Sequence, residues 1–251
     1  MAVKNSIPFA IWKFFQISTK IVFGIGNLGK TARRHGPDSE ILTKAKKQWA
    51  DELFELLNME VQVEGQPFVE RRCVYVGNHL SFLDGMVMWK FLELRFLSHS
   101  YVGRVPVLGK AIKEMGFILV DRGGSRAARG KAVVELRNAI VEKEQRLMIY
   151  PSGKTGLWNQ YQWQLGTFKI AARDDVLVQP VMLHFEPLRE TAFVDDDSML
   201  QTVWRLARMK EGKAWVKFLK PRHIANPAVD AVAIKEEVDF ARSGLLQEAA
   251  P

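Results

Sequence analysis

Residues 73–84 read CVYVGNHLSFLD. The apolar run from Cys73 to Gly77 has the composition of a short, fully buried strand. Asp84 opens a helical pattern over 84–95 that carries Met86, Val87, Trp89, Phe91 and Leu92. A strand running through a tight turn into a helix is the unit of α/β architecture, and the flanking sequence repeats it. Upstream, Val61-Gln62-Val63-Glu64-Gly65 alternates like a strand ending in a turn. Downstream, strands are expected at 117–120, at 146–150 running into Pro151, at 176–183 and at 215–219. A helix is expected over 125–145, with Ser125 as its N-cap and Ala132, Val133, Leu136 and Ile140 on one face. Residues 228–242 read as an exposed helix. This alternation predicts an α/β fold with a mixed, largely parallel central sheet flanked by helices. In open sheets of this kind the site lies beyond the carboxyl ends of the strands. Three junctions qualify: Gly77-Asn78-His79, Asp121-Arg122-Gly123-Gly124 and Pro151-Ser152-Gly153-Lys154.

The chain has 251 residues, 47% hydrophobic and 25% charged, which excludes disorder and a multipass membrane protein. A single cysteine, Cys73, excludes a disulfide framework and a cysteine zinc site. The five histidines show no ligand spacing, so no metal site is expected, and Asp195-Asp196-Asp197 reads as a solvated acidic loop. Thirty-six basic against 28 acidic residues leave a net charge of +8, which favours anionic partners. No nucleic-acid motif accompanies that charge, so nucleic acid is not an expected partner. No Gly-x-Ser-x-Gly elbow is present, which argues against a serine hydrolase.

The segment 7–28, IPFAIWKFFQISTKIVFGIGNL, is the most apolar, but Lys13 and Lys20 interrupt it. It falls short of the ~20 apolar residues of a membrane span. As a helix it places Lys13, Gln16, Lys20 and Asn27 on one stripe and Phe14, Phe15, Ile21, Val22 and Ile25 elsewhere. That is the pattern of a helix lying in a membrane interface. Trp12, Phe14 and Phe15, with Lys13 and Lys20, are the expected membrane contacts. Gly24, Gly26 and Gly29, followed by His35-Gly36-Pro37, are read as a break. A second amphipathic helix follows, capped by Asp38 or Ser39, with Trp49 and Leu53 on its apolar face. The expected organisation is a two-helix membrane-association hairpin (1–59), a catalytic α/β domain (60–225) and a helical tail (226–251).

Each junction carries chemistry. In a regular helix, five residues would separate His79 and Asp84 by ~140°. In a turn entering a helix they can meet. The carboxylate would then hold one ring N–H and leave the other nitrogen free as a base. Arg122, the glycines after it and a following helix N-terminus suit a phosphate. The third block, Tyr150-Pro151-Ser152-Gly153-Lys154-Thr155-Gly156, has the Gly-Lys-Thr of a nucleotide-binding loop but lacks its upstream glycine. A Gly-Lys pair at a strand end can still bind a phosphate.

Taken in order, these blocks resemble the glycerophospholipid acyltransferase family, in particular the 1-acylglycerol-3-phosphate acyltransferases. Asn78-His79 to Asp84 resembles its His-x4-Asp motif, and Gly116 to Arg122 its second motif. The third block resembles Phe-Pro-Glu-Gly-Thr-Arg-Ser. Val176 to Val181 resembles its apolar strand ending in Pro, and Phe168 to Ala171 its Phe-Lys-x-Gly-Ala stretch. The resemblance implies His79 as general base and Asp84 orienting it. It implies Asn78, Ser81, Arg122, Ser152, Gly153 and Lys154 around the substrate, with no cofactor. The donor would be an acyl carrier protein or acyl-coenzyme A thioester, and the acceptor a lysophospholipid, 1-acylglycerol-3-phosphate first. It also implies attachment to an anionic membrane surface, at the cytoplasmic face of the cell membrane, through the N-terminal helices. One departure bears on the acceptor. The family's third-motif Glu falls at Ser152 and its Arg at Thr155, with the basic group moved to Lys154. A different lysolipid, such as a lyso-ornithine lipid, is the alternative acceptor.

Overall fold

The computed structural model describes residues 4–70, 72–121, 125–158, 160–194 and 196–248. Seven strands form one sheet: β1 (Met59–Glu64), β2 (Cys73–Gly77), β3 (Arg95–His99), β4 (Ile118–Val120), β5 (Leu147–Ile149), β6 (Leu177–Glu186) and β7 (Gly212–Phe218). Their spatial order is β1-β7-β6-β2-β5-β3-β4, parallel at every pairing except β6 with β7. The central strands are apolar on both sides, as a sheet covered on both faces requires. All five residues of β2 are buried.

On one face lie α1 (Ile7–His35), α2 (Glu40–Leu56), α3 (Leu83–Met88), α4 (Leu108–Glu114) and α8 (Met199–Arg208), which pack Ile17, Leu42, Leu83, Ile112 and Leu206 into one core with Tyr75 and Leu183. The opposite face carries α5 (Arg126–Arg137), α6 (Gly166–Arg173) and α9 (Pro227–Glu248), around Leu136, Phe168, Ile234 and Val238. The short α7 (Leu188–Thr191) follows β6. The strand-to-helix pattern and the mostly parallel sheet are as the sequence predicts. Strand β3 was not expected, because the helical pattern drawn over 84–95 stops at Met88.

Three further expectations are corrected. Helix α1 does not break at its glycines. A Cβ at Gly24 would lie 1.8 Å from Trp49 Nε1, so the glycine is where α2 packs closely against α1. The polar stripe also splits. Its two lysines turn toward the protein, while Gln16 and Asn27 stay exposed and the apolar Ile7, Phe9, Trp12, Phe15, Val22 and Phe23 point out. Lys13 is buried and donates to the carbonyls of Leu57 (3.3 Å) and Met209 (3.0 Å). Those carbonyls compensate its desolvation, and burial pulls its pKa below the usual lysine range. Lys20 pairs with Glu52 of α2. Lys13 is therefore not a membrane contact, and Lys20 is committed to the neighbouring helix. Phe14 is half buried and packs edge-on against Trp204. Finally, α9 is not an exposed tail. Ala231, Ile234, Val238 and Arg242 are buried against the sheet, and burying the Ile and Val stabilises by roughly 1.5–3 kcal/mol each.

Candidate active site

The site forms where β2 ends. Gly77 is needed there, because a Cβ would lie 2.5 Å from Val181 O. The next residue, Asn78, is buried and clamps β6: its Oδ1 accepts from Leu183 N and its Nδ2 donates to Leu183 O, both at 2.8 Å. The chain then turns through His79, Leu80 and Ser81 into α3. Asp84, fully buried, closes that turn. Its Oδ2 accepts from Leu80 N (2.7 Å) and Ser81 N (3.0 Å) and lies 2.6 Å from His79 Nδ1. One carboxylate oxygen thus caps the turn and holds the imidazole. A carboxylate only accepts, so Nδ1 carries the proton and the Nε2 lone pair is free. The His79 side chain stays one-quarter exposed. Its backbone carbonyl accepts from Gly156 N at 2.9 Å, which ties the third block to the first.

Asn78 and Ser81, expected around the substrate, are engaged in the framework of the turn. Both are buried, and Ser81 Oγ accepts from Leu83 N at 3.3 Å. In the third block, Ser152 Oγ donates to Lys154 O at 2.8 Å, and Gly153 N donates to Tyr150 O at 3.0 Å. Lys154 is exposed, with its ammonium 5.8 Å from the Tyr161 ring centroid. The expectation for Arg122, with Gly123 and Gly124, lies outside the described residues. Asp195 does too, while Asp197 is held by Arg189 and Arg205 at 2.8 Å rather than left solvated. Among the described residues no group of three or more His, Cys, Asp or Glu side chains converges as metal ligands.

Sequence reasoning missed three residues beside the pair. Tyr150, just past β5, stacks on the His79 ring with centroids 4.1 Å apart and planes 6° from parallel. Burial, and then the Asp84 charge, push its phenol well above the usual tyrosine range. His184 on β6 follows the residue that Asn78 clamps. Arg242, from α9, donates from Nε to His184 Nδ1 at 3.2 Å, with its guanidinium carbon 5.1 Å from the Trp158 ring. Burial, then the Arg242 charge, pull His184 down to about 4. The aromatic residue before Pro151 was a readable signal. His184 and Arg242 gave none, because only the fold brings them to the end of β2.

Fold and site together define the class: the chain belongs to the acyltransferase family, as an O-acyltransferase of the glycerophospholipid branch. The Acyltransferase family model matches residues 60–184, which include His79, Asp84 and the third block. A lyso-ornithine lipid O-acyltransferase of Pseudomonas aeruginosa is 26% identical over 211 residues, covering 81% of this chain and 79% of that protein. A chloroplastic 1-acyl-sn-glycerol-3-phosphate acyltransferase of Brassica napus is 31% identical over 148 residues, covering 55% of this chain and 40% of that protein. The fold matches the crystal structure of the 1-acyl-sn-glycerophosphate acyltransferase PlsC from Thermotoga maritima. The TM-score is 0.72, covering 98% of this chain and 97% of the other at 18% identity.

Proposed function

We propose that this protein transfers a fatty acyl group from a thioester to the free hydroxyl of a lysolipid, with His79 as general base. The observation that carries the reading is the 2.6 Å contact between His79 Nδ1 and buried Asp84. His79 Nε2 removes the hydroxyl proton while the oxygen attacks the thioester carbonyl carbon. The carbon–sulfur bond breaks, and the departing thiolate takes the proton back from the imidazolium. Asp84 holds the tautomer and stabilises the transient cation. The donor is acyl carrier protein or acyl-coenzyme A. Both are anionic and meet a chain of net charge +8. Arg122 and Lys154 are assigned to the acceptor's anionic headgroup. The outward apolar face of α1, with Trp12 and Phe15, seats the protein on an anionic membrane, at its cytoplasmic face. No described helix is long and apolar enough to cross a membrane.

The first acceptor is 1-acylglycerol-3-phosphate. A lyso-ornithine lipid is the second, favoured by two observations. The match to the Pseudomonas aeruginosa protein spans about four-fifths of both chains, and the family's acidic third-motif residue is replaced by Ser152. The test is thiol release from palmitoyl-coenzyme A and acyl-carrier-protein thioesters against both lysolipids in detergent. Lysolipid-dependent turnover that falls about 10²–10⁴-fold in His79→Ala is expected. Turnover that survives this substitution, or no turnover with either lysolipid, overturns the reading.

A further inference from the structure

Four buried polar atoms around the pair have no hydrogen-bond partner among the described residues: Asp84 Oδ1, Tyr150 Oη, His184 Nε2 and Arg242 Nη2. Buried polar groups are almost always paired, so orphans gathered near one site call for a reason. Two of them carry opposite formal charge. Asp84 is fully buried, and the oxygen that caps the turn leaves the other uncompensated. Arg242 is 4% exposed. It is an expensive residue to bury without a carboxylate bonded to it. Its anchor is His184, one residue past the Leu183 that Asn78 grips, and Asn78 adjoins His79. Its other contact is Trp158, in the loop after the third block.

Resting on the acyltransferase reading, we propose that Arg242 is a positioning residue for the His79–Asp84 pair. Its guanidinium is the buried countercharge of Asp84 and braces the third-block loop through Trp158. Burial lowers the Arg242 pKa, and the charges of Asp239 and then of Asp84 favour the cation against it. The C-terminal helix therefore belongs to the active site. The arginine is too deeply buried, and too firmly engaged with His184 and Trp158, to serve as an open headgroup receptor.

The consequence concerns the basicity of His79. Asp84 from α3 and Tyr150 beyond β5 touch His79; the charged and titratable groups that face Arg242 are His184 of β6, with Glu186 beside it, and Asp84 and Asp239. His184 stays neutral and Tyr150 protonated through the neutral range. Removing the Arg242 cation then favours the imidazolium of His79.

Histidine titration by NMR tests this without any turnover, on wild type, Arg242→Gln, Arg242→Met and Arg242→Lys, with His79→Ala to assign the signal. Gln can still donate to His184, which keeps the test available if the Met variant does not fold. The expected result is a His79 midpoint about 0.5–1 pH unit higher in the two neutral variants and near wild type in Lys. The acid limb of kcat/KM should move by the same amount, with KM for the lysolipid unchanged. An unmoved His79 midpoint in a folded neutral variant overturns the proposal. So does a tenfold rise in lysolipid KM with a fixed acid limb, which would make Arg242 a substrate-binding group. If wild type turns over no lysolipid while the midpoint still shifts, the acyltransferase reading fails and the coupling stands.

Discussion

His184 is buried, leans on the Trp215 ring with centroids 5.6 Å apart, and accepts from Arg242. Its folded-state pKa, about 4, lies below the usual 6.5. The unfolded chain therefore binds a proton there first as pH falls. Stability from this residue is complete above pH 6.5 and is lost progressively toward pH 4. At about 1.4 kcal/mol per pH unit, the loss by pH 4 is roughly 3 kcal/mol. Urea unfolding at pH 7 and pH 4.5 should show this slope in wild type and a flatter one in His184→Gln. Equal slopes would mean that His184 is not held neutral. The His79–Asp84 pair was legible at this scale, and so was its competing explanation. Asp84 is a turn cap and a histidine partner through the same oxygen. What spacing did not reveal was its surroundings, since Tyr150, His184 and Arg242 come from three other elements.

At the scale of elements, α1 carries a lesson about amphipathic helices. Periodicity shows that a helix has two unlike faces but does not say which one meets the protein. Here the two lysines of the polar stripe turn inward, because Lys13 finds two carbonyls and Lys20 finds Glu52, while Gln16 and Asn27 stay exposed. The outward face holds Phe15 at 62% and Phe23 at 67% exposure. Replacing both by Glu should leave Tm within a few degrees, since exposed substitutions shift stability by about 0.5 kcal/mol or less. Co-sedimentation with anionic vesicles should weaken by about tenfold or more. Unchanged sedimentation would remove α1 as the membrane contact. The break expected at the glycines failed for a related reason. Gly24 looks like a helix breaker in isolation and is a packing residue once Trp49 lies against it.

For the whole molecule, the two cores meet across β2, β5 and β6, and Cys73 sits at the start of β2. The thiol is 2% exposed and burial pushes its pKa up to about 12. At pH 8 it is both inaccessible and protonated, hence unreactive. Iodoacetamide labelling should follow the same denaturant midpoint as circular dichroism, making Cys73 a reporter of global opening. Labelling well before that midpoint would mean that β2 opens locally. The sheet and its direction were readable from the alternation of strands and helices. The closing of the second face by α9 was not, since a helix with small and apolar residues on several sides looks free until a sheet is placed under it.

The inward Lys13 of α1, and Asn5 just before the helix, also constrain the order in which the chain is made. Asn5 gives its side chain to the carbonyls of Ala207 and Met209, and Lys13 reaches the same Met209. Those partners lie 202, 204 and 196 residues further along. At about 5–20 residues per second, synthesis keeps α1 waiting on the order of 10–40 seconds for them. Throughout that interval α1 has α2 and the Leu57 carbonyl but lacks the carbonyls of Ala207 and Met209. On the proposed membrane contact, the aromatic side of α1 is free to meet lipid before folding is finished rather than after.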